Sequence, residues 1–188
     1  KKEIELKYLL SSQQDFCLFE KFLEPFACGA QKKFRQENFY FDTATLKLKK
    51  NGVSVRLRKQ NNSYLKSAKK YLPRNKHRKN LSVRLEYEAP VTRSIANLLK
   101  DQLVSPIEVF SFLPVHSAED ESTKQSLLRS MKNSVTTGVQ LIGSFSNTRI
   151  SFPIHLLNET VVVEFDHARY PQSQEIYEIE VEFDSERS

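Results

Sequence analysis

The sequence has 188 residues, of which 39% are hydrophobic and 28% are charged, and its formal net charge is +6. This length suits one domain with a substantial core, and the composition is that of an ordinary soluble protein. No apolar run approaches the roughly 18 residues that cross a bilayer, and the N-terminus lacks a secretory signal, so we predict a cytoplasmic protein. The basic charge indicates an anionic partner: nucleic acid, a phosphorylated small molecule or a lipid surface.

The first elements are a strand and a helix. Residues 3–9 alternate between polar and apolar, which is typical of a strand with one buried face. Ser12 followed three residues later by Asp15 predicts a capped helix start. Apolar side chains then recur at helical spacing, at Phe16, Phe19, Leu23 and Phe26. Two cysteines, Cys17 and Cys28, are too few for a disulfide framework and are expected to be buried free thiols.

Strands dominate from about residue 36 to Pro90. The turn signal Asn51-Gly52 precedes an alternating segment at residues 53–59. Residues 63–70 and 81–88 predict a hairpin.

The second half of the chain mixes helices and strands. The basic stretch at residues 71–80 is typical of an exposed loop, and apolar spacing predicts a helical insertion at about 91–134. Strands are predicted again at 139–142, 147–152, 160–166 and 176–183. We therefore expect an α+β protein, dominated by an antiparallel sheet of about eight strands, with residues 1–188 forming a single domain.

Each predicted strand carries polar side chains on one face, because residues two apart point the same way. These rows are Glu3, Glu5 and Lys7; Arg56 and Arg58; Ser67 and Lys69; Arg84, Glu86 and Glu88; Asn147 and Arg149; Glu164 and Asp166; and Glu178, Glu180 and Glu182. One such strand is usually a sheet face in water. Several strands carry charged side chains of a single sign on this face. This favours another interpretation, because like charges roughly 7 Å apart repel one another. We interpret the rows as facing into a barrel that holds ions.

The residue types in these rows suit a polyanion that arrives with its metal. Carboxylate oxygens are the ligands that Mg²⁺ and Mn²⁺ prefer. Arginine and lysine bind phosphate oxygens, and arginine can do so through two parallel hydrogen bonds.

The same positions resemble the CYTH superfamily, the triphosphate tunnel metalloenzymes. The resemblance begins at Glu3-x-Glu5-x-Lys7 and spans residues 1 to about 183. It continues in order through Tyr40-Phe41-Asp42-Thr43, Gly52 to Arg58, Ser67-Ala68-Lys69, Arg84 to Glu88, Phe145 to Arg149, Val163 to Asp166 and Tyr177 to Glu180. The Phe-x-Asn-x-Arg segment and the Tyr-Glu-Ile-Glu ending resemble the compact tripolyphosphatases within that superfamily.

The resemblance implies an eight-stranded antiparallel β-barrel, or tunnel, with flanking helices, in which Mg²⁺ or Mn²⁺ supports hydrolysis of inorganic triphosphate. By position it implies metal ligands at Glu3, Glu5, Glu86, Glu88, Asp166, Glu178 and Glu180. It implies triphosphate-binding residues at Lys7, Arg56, Arg58, Lys69, Arg84 and Arg149. The residues expected to be essential for catalysis are Glu3, Glu5, Lys7, Glu178 and Glu180.

Three other functions remain open. A class IV adenylyl cyclase or a thiamine triphosphatase would need a surface for an aromatic base, and no sequence element clearly supplies one. A non-catalytic polyphosphate or nucleotide sensor is the third. Its main support is that family members usually continue past the last strand into a helix and a strand with a further basic residue, whereas this sequence stops at Ser188. We expect no membrane partner and no nucleic-acid partner, since no aromatic residues alternate with the basic run at 74–79. The four histidines show no metal-ligand spacing.

Overall fold

Eight antiparallel strands form a closed barrel in the computed structural model, which describes residues 2–72, 81–135, 138–156 and 159–184. The strands are β1 (Lys2–Leu10), β2 (Lys32–Asp42), β3 (Val53–Gln60), β4 (Ser63–Tyr71), β5 (Leu81–Val91), β6 (Gln140–Leu156), β7 (Glu159–Arg169) and β8 (Glu175–Asp184). The helices are α1 (Gln13–Leu23), α2 (Lys47–Lys50), α3 (Arg93–Lys100), α4 (Pro106–Ser111) and α5 (Ala118–Ser134), with 3₁₀ turns at Glu24–Phe26 and Pro171–Ser173. Around the barrel the strand order is β1-β5-β4-β3-β2-β6-β7-β8. The expected α+β antiparallel barrel is confirmed.

The register of the strands keeps side chains of one kind on one face. In the predicted hairpin, which is confirmed, Ser67 pairs with Glu88 and Lys69 with Glu86. Because side chains alternate along a strand, one such pair determines the face of every other residue in both strands. The polar rows therefore share one face of adjacent strands, and the apolar residues share the other.

The chain forms two compact units. In the first, which contains residues 37–72 and 84–144, the apolar faces of β3–β5 pack with α3–α5 around one hydrophobic cluster. Leu57, Leu99, Phe110 and Leu127 in this cluster are completely buried. Full burial of one such side chain stabilises the fold by about 1.5–3 kcal/mol. The helices thus cover the apolar strand faces and leave the polar faces for the barrel interior.

The second unit contains residues 2–36 and 145–184 and has its own hydrophobic cluster. Helix α1 begins at Ser12, whose hydroxyl oxygen accepts the Asp15 backbone N–H, as the capping pattern predicts. Phe16 is the residue that α1 buries most deeply, and its ring lies edge-on to Phe165 at 5.4 Å and tilted against Tyr177 at 5.5 Å.

The prediction that Cys17 and Cys28 are buried is wrong, because both thiols are exposed. Phe19 and Phe26 are also 44% and 53% exposed, although both recur at helical spacing with Phe16 in the sequence; Phe26 lies beyond the end of α1, in the 3₁₀ turn. Cys17 follows Phe16 directly and therefore points about 100° away around the helix, whereas Cys28 lies beyond α1 in the segment that leads to β2.

The segments predicted as separate strands at 139–142 and 147–152 form the single strand β6, since residues 143–146 remain extended. Asn51-Gly52 does make a turn, with Gly52 at φ +69°, but the turn joins α2 to β3 and is not a hairpin. The basic stretch at 73–80 lies outside the described residues. None of the described helices has the length and apolar character needed to cross a bilayer.

Lys66 is an unexpected charge-bearing residue in the first hydrophobic cluster. It lies on the apolar face of β4 with Tyr64 and Ala68, is completely buried, and its Nζ has no hydrogen-bond partner among the described residues. Its closest polar interaction is with the Phe41 ring, 4.8 Å from Nζ to the centroid. Burial lowers the pKa of Lys66, and the charge of Arg56 lowers it further.

Replacing Lys66 with methionine should stabilise the protein by about 1–3 kcal/mol at pH 7, because the fold no longer buries an unpartnered amine. A lysine whose pKa is lowered on folding binds fewer protons in the native state, so its cost falls as pH rises toward the ordinary value. The advantage of Lys66→Met should therefore shrink between pH 7 and pH 10, as measured by urea unfolding. Lys50→Met, at an exposed position on α2, is the control and should show no such trend. A Lys66→Met protein less stable than wild type at pH 7 would contradict this account.

Candidate active site

Carboxylates converge on the inner faces of β1, β7 and β8 in the second unit. Strand β8 lies between the other two, so Glu180 pairs with Lys7 on one side and with Glu164 on the other. One step along the strands, Glu178 pairs with Asp166. Alternation therefore places acids from neighbouring strands side by side.

Two groups of these acids have the geometry of a metal site. The first contains Glu5, Glu180 and Glu182, and the second contains Asp166, Glu178 and Glu180. Within each group, one ligand atom from every residue lies within 4.8 Å of the others, and Glu180 belongs to both. Buried, oxygen-only ligand sets fit hard divalent cations such as Mg²⁺ and Mn²⁺. We name the two sets together the acidic group.

Arg149 on β6 is bound tightly to this group. Its Nε donates to Asp166 Oδ1 at 2.7 Å and its Nη2 to Asp166 Oδ2 at 2.5 Å, a bidentate pair. Nη2 also donates to Glu180 Oε2 at 3.1 Å, and Nη1 forms an ion pair with Glu164. Burial acts to lower the pKa of Arg149, but Asp166, Glu164 and Glu180 outweigh it and raise the pKa above its usual value.

Lys7 on β1 is the second cation of the group. Its Nζ donates to Glu178 Oε2 at 3.3 Å, forms an ion pair with Glu180, and lies 3.9 Å from Glu5 Oε1. Burial acts to lower the pKa of Lys7, yet the charges of Glu180 and Glu178 raise it overall. Lys7 is therefore positively charged at any physiological pH.

The carboxylates themselves repel one another in this buried setting. Burial raises the pKa of Glu164 to about 7, against the opposing effect of Arg149, and nearby Glu182 and Glu180 raise it further. Burial also raises the pKa of Glu178, although Lys7 opposes it. In both cases burial is the largest cause of the raised pKa, and neighbouring acids add to it.

Cations dominate the polar strand faces of the first unit. Arg56 Nη2 lies 3.7 Å from Glu86 Oε1 and 3.4 Å from Glu88 Oε2, while Lys69 Nζ lies 2.6 Å and Arg84 Nε 3.5 Å from Glu86 Oε2. With Arg58, whose Nε donates to Asn38 Oδ1 at 3.2 Å, these residues form what we name the basic group. It contains the four cations Arg56, Arg58, Lys69 and Arg84 and the two acids Glu86 and Glu88.

Lys69, and not its neighbour Lys66, belongs to the basic group. Lys69 shares the polar face of β4 with Ser67, whereas Lys66 lies on the apolar face. Burial lowers the pKa of Lys69, and Arg56 and Arg84 add to that effect while Glu86 opposes it. A lysine whose charge is disfavoured in this way gains from an incoming anion.

The predicted site residues separate into two sets in the structure. Among the predicted metal ligands, Glu5, Asp166, Glu178 and Glu180 lie together in the acidic group. Glu86 and Glu88 lie instead beside the cations of the basic group. Glu3 is on the same face of β1 as Glu5 but belongs to neither of the two acidic sets. Of the predicted triphosphate-binding residues, Lys7 and Arg149 contact the acidic group, and the other four make up the cations of the basic group.

Several residues of the site were not predicted. Glu164 and Glu182 were noted in the polar rows but not proposed as site residues, and both lie in or against the acidic group. Asn147 Nδ2 donates to Asp166 Oδ1 at 2.8 Å and to Gln36 Oε1 at 3.2 Å. The alternation of side chains along β2 places Gln36 and Asn38 on one face, and it could have revealed both of them as residues of the site.

Histidines contribute to neither acidic set among the described residues. His167 stacks on Tyr177, with ring centroids 4.5 Å apart, on the face of β7 opposite to Asp166. His116 and His155 are exposed, and His77 lies outside the described residues.

An aromatic pair lies on the same strand faces as the acidic group. Phe145 shares the face of β6 with Asn147 and Arg149, and its ring stacks on that of Tyr170 with centroids 4.6 Å apart. At about 3.3 Å per residue, Phe145 is roughly 13 Å along the strand from Arg149. The pair therefore offers a flat apolar surface on the polar face, at a distance that a triphosphate chain could span.

Comparison with known proteins identifies the family. The family model described as the CYTH domain matches residues 1–188. No curated protein sequence resembles the chain significantly.

Solved structures share the fold. A candidate adenylyl cyclase from Hippeastrum, described as having a dominant triphosphatase activity, is 24% identical with a TM-score of 0.68, covering 96% of this chain and 79% of its own. A candidate adenylate cyclase from Bacillus halodurans is also 24% identical, with a TM-score of 0.59 and coverage of 98% and 83%. The PH1819 protein from Pyrococcus horikoshii is 16% identical, with a TM-score of 0.51 and coverage of 98% and 80%. At these identities the likeness shows the barrel fold.

Glu180→Gln should weaken Mn²⁺ binding by about 10-fold or more, because it removes the one carboxylate that both acidic sets share. The measurement is a calorimetric titration of the metal-free protein with Mn²⁺. Glu159→Gln, an exposed acid at the start of β7, is the control and should leave binding unchanged. Equal affinities for Glu180→Gln and wild type would show that the acidic group does not hold the metal.

Proposed function

Because the chain belongs to the CYTH family, we propose that it hydrolyses inorganic triphosphate with the help of a divalent cation. The observation that carries this proposal is the position of Glu180, a buried carboxylate shared by two acidic sets and contacted by both Lys7 and Arg149. Structural ion pairs need one acid for each base. An excess of buried acids beside two bases indicates that further cations complete the group.

The acidic group supplies the ligands that the metal would need. Glu5, Asp166, Glu178 and Glu180 would hold Mg²⁺ or Mn²⁺, with Glu182 as a further oxygen donor. Bound there, such a cation neutralises phosphate charge and lowers the pKa of a coordinated water.

The basic group supports the binding of the phosphate chain. Its four cations exceed its two acids, so the polar face carries a formal surplus of two positive charges. Arg56 and Arg84 are only 8% and 4% exposed. In such a buried setting, a charge-assisted hydrogen bond to phosphate is stronger than in water. In this proposal these residues orient the substrate and stabilise the charge that spreads over the phosphate oxygens during transfer to water.

A second candidate function is hydrolysis or cyclisation of an organic triphosphate, such as a nucleoside triphosphate or thiamine triphosphate. The stacked Phe145–Tyr170 pair favours it, because aromatic side chains bind heterocyclic rings by stacking. In this second proposal, the pair would be the base-binding surface for which the sequence offered no clear element.

The first experiment is phosphate release from inorganic triphosphate with Mg²⁺, with Mn²⁺ and with excess EDTA. We expect rapid release that requires metal, and a loss of at least about 100-fold in kcat for Glu180→Gln, because the substrate's charge is then poorly neutralised. Glu159→Gln should retain full activity. If no phosphate is released while triphosphate still raises the melting temperature, the protein is a binding module.

Phe145→Leu discriminates between the two candidate functions. If the ring binds a base, kcat/KM for ATP or thiamine triphosphate should fall by about 10-fold or more, while kcat/KM for inorganic triphosphate stays unchanged. Phe19→Leu, which changes an exposed ring on α1, controls for the substitution itself. Equal losses on all three substrates would indicate that Phe145 only stabilises the barrel.

A further inference from the structure

Asn147 on β6 carries a buried oxygen that nothing described so far explains. The residue is only 7% exposed, and its Oδ1 atom has no hydrogen-bond partner among the described residues. A buried acceptor without a donor is costly, so native structures rarely keep one without a reason. A role as a ligand is such a reason, because an amide carbonyl oxygen binds hard divalent cations as well as hydrogen-bond donors.

The orientation of the Asn147 amide is determined by its nitrogen. Nδ2 donates to Asp166 Oδ1 at 2.8 Å and to Gln36 Oε1 at 3.2 Å. An ionised carboxylate accepts hydrogen bonds and cannot donate them. Rotating the amide by half a turn would therefore place Oδ1 against Asp166 Oδ1, and the two oxygens would repel each other. The atom of Asn147 that lacks a partner is thus the oxygen.

This carbonyl oxygen lies close to the Asp166–Glu178–Glu180 set. Bond lengths place the nitrogen and oxygen of an amide about 2.2 Å apart, so Asn147 Oδ1 is at most about 5 Å from Asp166 Oδ1. The three acids of the set have ligand atoms within 4.8 Å of one another. The distance from Asn147 to Asp166 is therefore comparable to the spacing of the acids themselves.

Asp166 has little capacity left for a metal. Its Oδ1 accepts from Asn147 Nδ2 and Arg149 Nε, and its Oδ2 accepts from Arg149 Nη2. A carboxylate offers roughly four lone-pair positions, and these bonds use most of them. A cation held by this set therefore needs oxygen from elsewhere, since Mg²⁺ binds in octahedral geometry.

A neutral oxygen suits this position better than a further acid. Asp166 and Glu178 already pair across the sheet, so another carboxylate beside them would add repulsion in the metal-free protein. An amide supplies a ligand oxygen without that charge. Its N–H groups also hold Asp166, which a carboxylate at position 147 could not do.

We propose that the side-chain carbonyl oxygen of Asn147 is a neutral ligand of the divalent cation that the Asp166–Glu178–Glu180 set binds. The proposal rests on the proposed function, since it takes these acids as a metal site. One amide then has two roles: Nδ2 orients Asp166, and Oδ1 coordinates the cation. Gln36 is a positioning residue in this arrangement, because it accepts from the same amide nitrogen and so supports its orientation.

The first test is Mn²⁺ binding to the metal-free protein, measured by calorimetry without substrate. Asn147→Leu, which has a similar volume and no polar atom, should bind Mn²⁺ about 10-fold more weakly or worse. Asn147→Asp keeps an oxygen but loses the N–H groups, so it should bind at least as tightly as wild type. Asn97→Leu, at an exposed position on α3, is the matched control and should leave binding unchanged. If Asn147→Asp loses as much affinity as Asn147→Leu, only the donation to Asp166 matters and the inference is wrong.

A second measurement uses the wild-type protein and does not depend on the stability of a variant. The protein is labelled with ¹³C at the side-chain carbonyl of asparagine and loaded with Mn²⁺, and the ¹³C hyperfine coupling is measured by electron–nuclear double resonance. The carbonyl carbon of a coordinated amide lies about 3 Å from the metal, so a strong coupling is expected. This coupling should disappear in labelled Asn147→Leu and persist in labelled Asn97→Leu.

The outcomes separate the inference from the function. If wild type binds Mn²⁺ in a Glu180-dependent manner but shows no strong coupling, or the coupling survives in Asn147→Leu, Asn147 is not a ligand and the inference is wrong, while the metal site stands. If wild type binds no Mn²⁺ at all, the inference and the proposed function fail together.

Discussion

The inner faces of this barrel hold buried charges that repel one another, and the structure depends on how they are compensated. Glu180 shows the constraint most clearly: a nearly buried carboxylate with Glu164 beside it on one strand and Lys7 on the other. A charge buried without a partner costs several kcal/mol, so each acid must find a cation, give up its own charge or bind an ion. Arg149 and Lys7 supply the first solution and the raised pKa of Glu164 the second. The excess of acids leaves the third, which is the basis of the proposed function.

Such an interior is tolerated because the hydrophobic clusters are placed elsewhere. In the first unit the apolar strand faces pack against α3–α5, and in the second Phe16 of α1 covers Phe165 and Tyr177. Apolar burial on the outside therefore stabilises strands whose other faces carry mostly charge. Lys66 departs from this pattern, since it places an amine within the hydrophobic cluster, where the described residues offer its Nζ the Phe41 ring and no hydrogen bond.

The alternation of side chains along a strand explains how much of the fold and the site could be predicted from the sequence. A period of two residues assigns every side chain to a face, so the polar rows, including Glu178 and Glu180, were identified without any structure. Helix α1 was less predictable, because its contact with the sheet is narrow and the spacing of Phe19 and Phe26 does not reveal which side meets the strands. The predicted burial of Cys17 failed for the same reason, whereas Cys28 lies beyond the helix. The Phe145–Tyr170 pair was missed because it joins β6 to the residue that follows β7, and the pairing of the two strands brings these distant residues together.

The register of the strands also decides the surroundings of each acid, and the alternation of side chains along a single strand cannot predict this. Glu86 and Glu178 are both inner-face glutamates flanked by another glutamate two residues away, and the sequence predicted both as metal ligands. Glu86 pairs across the sheet with Lys69 and is surrounded by guanidinium groups, so its charge is already compensated. Glu178 pairs across the sheet with Asp166, another acid, and shares the single ammonium group of Lys7 with Glu180 and Glu5, so its charge is only partly compensated. In the proposed function, an acid beside bases is a counter-ion for the groups that would bind phosphate, whereas an acid beside acids is available to bind a metal. The division of the barrel into a basic and an acidic group therefore follows from which strand each glutamate faces, and not from the glutamates themselves.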